Sequence, residues 1–165
     1  MESLFLEKNT LKQVALPADL NASPVTGARI KLDKGYRCAV KLSFGDSTGA
    51  AVTVSFQQHD AATGGNSKAV NVQTNYYVKA GAATSFTKTE IRPDDAGLSD
   101  SVDLAAQFGS DEGLVVFEFL PEFLDVENGF AYLSVNVADS TAAKVMAGEY
   151  IVCGLKQEPA YLEVL

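Results

Sequence analysis

Two short phrases place an acid beside two hydroxyls: GDSTGAAV at residues 45–52 and ADSTAAKV at residues 138–145. Paired aspartates on hydroxyl-bearing turns are the chemistry of an acid protease, in which two close carboxyl groups share one proton. Such a loop needs Ser or Thr and then Gly directly after the Asp. Here Asp46 is followed by Ser47-Thr48-Gly49, one residue too many, and Asp139 by Ser140-Thr141-Ala142, with no Gly. Asp, Ser and Thr also bond nearby backbone N–H groups in turns and caps. That second role is the one expected at both places.

Other reactive side chains are sparse. His59 is the only histidine, so a Ser-His-Asp or Cys-His arrangement would have to use it. Alternation puts it on the polar side at a strand end, where a solvated histidine is expected. Cys38 and Cys153 sit in apolar alternating runs and are expected as reduced thiols on the core side of their strands. One His and two isolated Cys match no zinc spacing. Asp94, Asp95, Asp100 and Asp103 are hard oxygen ligands, but their spacing is not that of a calcium loop. No phosphate-cradling glycine motif occurs. A sugar-binding face would have to draw on Tyr76, Tyr77 or Tyr132, because the chain has no Trp. No catalytic, cofactor or metal site is therefore expected.

The elements that must carry these residues are mostly strands, because apolar side chains recur at every second position. YRCAVKLSF (36–44) places Tyr36, Cys38, Val40, Leu42 and Phe44 on one face. AVTVSFQQH (51–59) does the same with Val52, Val54 and Phe56, and FAYLSVNVA (130–138) with Leu133, Val135 and Val137. ARIKL (28–32) and GEYIVCGL (148–155) read as further strands, as do stretches near 68–79 and 84–91. LVVFEFL (114–120) is apolar on both faces, which suits a strand buried in a sandwich or at a subunit contact. Turns are expected at Asp33–Gly35, Gly45–Gly49, Gly64-Gly65-Asn66 and Asn128-Gly129, with GDSTG joining strands 36–44 and 50–58 as a hairpin. Short helices are expected at 101–108, capped by Ser101, and at 140–148, with Gly148 as the stop.

The reading is all-β: one antiparallel β-sandwich or barrel over residues 25–165, with one or two short helices. Residues 1–24 form an N-terminal arm or edge element, interrupted by Pro17, Asn21 and Pro24. At 165 residues and 47% hydrophobic composition the chain suits a single cored domain. A net charge of −8, from 13 basic and 21 acidic residues, argues against nucleic acid as a partner. No apolar run is long enough to span a membrane, and MESLFLEKNT lacks the basic start and apolar run of a signal peptide.

The block GARIKLDKGYRCAVKLSFGDSTGAAVTVSFQQHDAATGGNSK resembles a recurrent segment of small tailed-bacteriophage virion structural proteins. KAGAATSFTK (79–88), VVFEFLPEFLDVENGFAYLSVNVADSTAAKV (115–145) and PAY (159–161) are similar to the same proteins, so the resemblance spans roughly 27–162. It implies a non-enzymatic virion protein, most like the capsid decoration or cement proteins that stabilise the head. The partners it implies are the major capsid protein and further copies of this chain, with a trimer favoured. The location it implies is the outer capsid surface, after assembly in the host cytoplasm. A head-completion, neck or tail-tube ring protein, or a glycan-binding module on the virion, are the alternatives. The subunit contacts expected are Leu114, Val116, Leu120, Phe123 and Leu124, together with Leu4, Phe5 and Leu6 in the arm.

Overall fold

Alternation turns into strands whose inner residues are the ones it selects. The structure, a computed structural model, describes residues 9–32, 36–47, 52–72, 75–89 and 100–154. Strand β4, which follows β1 (Asn9–Asp19), β2 (Val25–Thr26) and β3 (Ile30–Lys31), runs Tyr36–Phe44 and buries Cys38, Val40, Leu42 and Phe44. Strand β5 (Thr53–His59) buries Val54 and Phe56. Then come β6 (Ser67–Ala69), β7 (Tyr76–Ala80), β8 (Thr87–Thr89), β9 (Ser101–Asp103), helix α1 (Ala105–Phe108) and β10 (Gly113–Phe119). Two single-turn 3-10 helices, Pro121–Phe123 and Val126–Asn128, lead to β11 (Tyr132–Val137) and β12 (Val145–Gly154).

These strands form two antiparallel sheets stacked as a sandwich, the architecture expected. The first is six-stranded in the order β1-β12-β4-β10-β7-β8. The second is built on β2-β11-β5-β6, with β3 also pairing β11 and β9 also pairing β5. The inner faces interdigitate, and aromatic rings set the middle of the core. Phe56 of β5 lies 4.9 Å from Phe117 and 4.7 Å from Phe119 of β10, and Tyr76 of β7 lies 5.2 Å from Phe117. Tilted and edge-on ring pairs of this kind add to the burial of their area.

Three sequence expectations need correction. GDSTG does not close a hairpin: β4 belongs to the first sheet and β5 to the second, and both edges of β4 are taken by β12 and β10. The stretch 140–148 is not a helix. Its Ala, Lys and Met residues favour one locally, but from Val145 the chain is strand, paired to β4 on one side and β1 on the other. Gly148, read as a helix stop, sits in mid-strand, where a Cβ would lie 2.6 Å from Leu42 Cδ2. The 101–108 helix is halved, because Ser101–Asp103 pairs with β5 and only Ala105–Phe108 is helical.

Asn9–Asp19 is the edge strand of the first sheet, in register from Asn9 opposite Cys153 to Asp19 opposite Val145, with irregularities between Gln13 and Ala18. Those bulges bend β1 toward the second sheet. The Ala28 N–H donates to the Val14 carbonyl (3.0 Å), and the Gly27 N–H to the Val135 carbonyl (2.8 Å). β1 therefore touches both sheets and closes the sandwich along one side. A Cβ on Gly27 would stand 2.6 Å from the Val135 oxygen, so only glycine admits this approach. The break between β2 and β3 leaves the Val135 N–H facing inward, where it donates to the buried Tyr150 hydroxyl (3.2 Å). Burial also raises the Tyr150 phenol above its ordinary value of 10.0.

Tyr150→Phe would remove the acceptor and leave a buried N–H unpaired. A loss of about 1–3 kcal/mol is expected in urea denaturation. A value near zero would show that the Val135 amide has another partner.

Candidate functional site

The two hydroxyl-rich phrases do meet, though not through their aspartates. GDST leads from the first sheet to the second, and ADST leads back, at the same end of the sandwich. The Gly45 N–H donates to the Val145 carbonyl (2.9 Å), and the Ala138 N–H to the Thr53 carbonyl (2.9 Å). Asp46 is exposed and its Oδ1 accepts the Glu112 N–H (2.8 Å); Asp139 is exposed as well. Ser140 Oγ donates within its own turn to the Ala142 carbonyl (2.5 Å). These are turn duties, as the residue types suggested.

The reactive-looking group at this junction is Lys144, which sequence reading passed over. It is fully buried, and its Nζ donates to the carbonyls of Asp111 (3.0 Å) and Gly109 (3.2 Å) and to Ser47 Oγ (3.3 Å). The Phe108 ring lies 5.3 Å away, and the Lys144 N–H reaches Asp19 Oδ1 at 3.2 Å. Burial lowers its pKa, while Asp46 and Asp111 act in the opposite sense. Carbonyl dipoles and a ring face replace the lost water, so the ammonium ties the 45–47 turn to the 109–111 loop, while the Lys144 backbone N–H holds β1. The only advance signal was a lysine in an otherwise small and apolar stretch.

His59 departs from expectation. Its ring is on the outer face of the second sheet, as alternation requires, yet it is only 4% exposed. Its Nε2 is 2.8 Å from Ser134 Oγ, itself buried, and its Nδ1 has no partner. Arg29 is close enough to act on the ring by its charge, and its guanidinium spans β11 to reach the carbonyls of Ala61 (2.8 Å) and Gly64 (2.5 Å). Along β5 and β11 this face is polar, with Gln57 opposite Ser134 and Ser55 opposite Asn136, while Thr53 stands opposite Asp103 of β9 and Tyr132 opposite Lys31 of β3.

Cys38 is buried on the inner face, but Cys153 is half-buried on the outer one, since β12 turns Tyr150 and Met146 inward. Cys38 stands opposite Val152, and Cys153 opposite Arg37, so the two thiols point to opposite faces. Both are free. Burial pushes the Cys38 thiol from 9.0 up to about 12, with Cys153 adding to the effect. The three tyrosines make no common platform: Tyr76 is in the core, Tyr77 faces outward on the first sheet and Tyr132 on the second. Asp103 Oδ1 accepts the Ala105 N–H at the start of α1 (2.9 Å). Asp94 and Asp95 lie outside the described residues, among which no group of His, Cys, Asp or Glu is placed to hold a metal ion.

The residues expected at subunit contacts divide. Leu114 and Val116 are half-buried on the outer face of the first sheet, at the centre of β10. Leu120 and Phe123 are half-buried beyond its end, with Phe123 packed edge-on to Phe119, whereas Leu124 belongs to the core and offers no surface. Leu4, Phe5 and Leu6 lie outside the described residues. What the sequence did not show is how cross-strand register extends the patch. Leu11, 47% exposed, stands opposite Ile151, which stands opposite Ala39; Val116 faces Lys41 and Tyr77 in the next row, and Leu114 the row after. The result is a diagonal of apolar side chains across the outer face, flanked by Glu118 opposite Ala39 and by Ser43 and Lys79 on either side of Leu114. Beside it the Lys41–Glu149 ion pair (3.5 Å) edges a shallow groove of about 230 Å³ where β1 bulges from β12, lined by Gln13, Ala15 and Ala147.

What fold and surface define is a two-sheet antiparallel β-sandwich with a diagonal of apolar side chains on one outer face and a polar second face. No protein-family model matches the chain, and no curated protein does. Among solved structures, the SPBc2 prophage-derived protein YomS is similar at a TM-score of 0.46 and 19% identity, over 87% of this chain and 92% of that one.

Lys144→Met would leave the Gly109 and Asp111 carbonyls without their donor, and a loss of roughly 2–4 kcal/mol is expected in chemical denaturation. An unchanged midpoint would show that the loop does not depend on the ammonium. Alkylation of the native protein is expected to modify Cys153 and spare Cys38, as peptide mass spectrometry would read.

Proposed function

We propose that this chain is a non-enzymatic structural protein of a tailed-bacteriophage virion, of the decoration or cement kind. The observation that carries the reading is the apolar diagonal on the outer face of the first sheet. Lone exposed apolar residues are ordinary, but a diagonal of them over four strands, edged by charged side chains, suits a contact surface. The resemblance of residues 27–162 to phage virion proteins gives that surface its context. In this reading Leu114 and Val116 pack against a neighbouring copy or the major capsid protein, and self-association closes as a symmetric trimer on the outside of the head. The polar outer face of the second sheet is then turned to solvent.

Leu114→Lys with Val116→Lys places two charges in the band without touching the core. The wild-type protein is expected as a trimer by light scattering and the double variant as a monomer with an unchanged circular dichroism spectrum. A wild-type monomer, with particle binding equal in both proteins, would overturn the reading. Copy number separates it from a ring protein of the neck or tail. Quantitative mass spectrometry of particles should give on the order of hundreds of copies, whereas about six to twelve would favour the ring.

A further inference from the structure

The outer end of the second sheet holds a histidine that is buried for no packing reason. His59 has one hydrogen-bonding neighbour, Ser134 Oγ at 2.8 Å, and a second ring nitrogen with no partner. A cation from another part of the chain is close enough to act on it. Arg29 leaves the segment between β2 and β3, spans β11 and ends on the Ala61 and Gly64 carbonyls of the loop between β5 and β6. That loop is braced internally, because Asp60 accepts from both the Asn66 N–H and Asn66 Nδ2 (2.8 Å each). Lys12 Nζ in turn holds the Arg29 carbonyl (2.7 Å).

The charges around the ring are mostly of one sign. Arg29 lies over it, and Lys31 of β3 stands in the same cross-strand row through Tyr132 of β11. Among the described residues Asp60 is the acid that acts on the ring, and its carboxylate is engaged by Asn66, which holds it below its ordinary 3.8. Asp125, in the loop before β11, is taken by Lys68 and Asn128. The β6 residue opposite His59 is Ser67, which does not titrate. A proton on His59 would therefore create a buried N–H with nothing to bond and a cation beneath an arginine.

We propose that His59 and Arg29 form a proton-operated latch. Neutral His59 lets the guanidinium rest across β11, and proton uptake expels it, releasing the 60–66 loop from the β2–β3 segment. Burial first, then Arg29, lowers the imidazole pKa from 6.5 in the closed form. The sign follows from that direction. Above 6.5 the ring is neutral open or closed, and the latch has its full strength. As pH falls below 6.5 only the open form takes up a proton, so the latch weakens until the closed-form pKa is reached. Asp60, titrating below 3.8, stays charged throughout this window.

With one histidine in the chain, a single imidazole signal reports the titration by NMR. Amide protection factors report the latch: Ala131 N–H donates to the His59 carbonyl (3.1 Å), and Asn66 N–H closes the loop. In the wild type the imidazole is expected to titrate below 6.5. Both protection factors should fall by about tenfold per pH unit across the window. His59→Gln keeps a polar side chain but takes no proton, and should hold constant protection. Arg29→Gln should lose protection already at neutral pH and move the imidazole pKa upward. An imidazole titrating at or above 6.5, protection unchanged through its titration, or equal acid loss in His59→Gln would each overturn the proposal. If His59→Gln does not fold, the wild-type titration decides alone.

Discussion

The fold depends on one close approach. At Gly27 the chain passes so near the Val135 carbonyl that no side chain fits, and the next residue hydrogen-bonds to Val14 in the opposite sheet. Without it β1 would be an ordinary edge of the first sheet. With it, β1 belongs to both sheets, and one long side of the sandwich is closed. Tyr150 completes the junction, because its hydroxyl satisfies the one N–H of β11 that the break between β2 and β3 leaves over. A buried N–H must have a partner, so the break is tolerated only because a tyrosine from the other sheet reaches it. Gly148 follows the same logic on the first sheet, where Leu42 and Val14 occupy the space a Cβ would need.

Much of this was legible along the chain, since alternation is a local property. The inner residues of β4, β5 and β11 could be named from their spacing, because half-buried strands must turn every second side chain inward. Gly129, in the Asn-Gly pair, takes the left-handed backbone (φ 86°) that its type allows. What escaped was set by partners distant in sequence. Residues 140–148 contain good helix formers, and only pairing with both β1 and β4 makes the last of them a strand. His59 was correctly placed on an outer face, but its burial was not legible there, and the charge acting on it belongs to Arg29, thirty residues away in sequence and brought near only once β2, β3 and β11 are neighbours.

The candidate surface shows the same division. Leu114 and Val116 were legible as apolar residues on a strand that is apolar on both sides. Leu11, Ile151 and Ala39 could not be joined to them, since the link is the register of β1, β12, β4 and β10. Leu124 looked the same in sequence as its neighbours and went to the core, because the turn at Pro121–Phe123 redirects the chain under the sheet. The phrases GDST and ADST were alike for a reason that spacing could not show: each carries the chain from one sheet to the other, and they lie side by side.

The two outer faces of the sandwich differ in kind. Apolar side chains lie along one; on the other, the serine, glutamine and asparagine of β5 and β11 are bordered by Arg29, Lys31 and Asp103. The two faces therefore answer differently to salt. Screening weakens whatever the charged border of the second face can hold, and it leaves apolar contact on the first unweakened. Ionic strength alone can thus tell which face a contact uses.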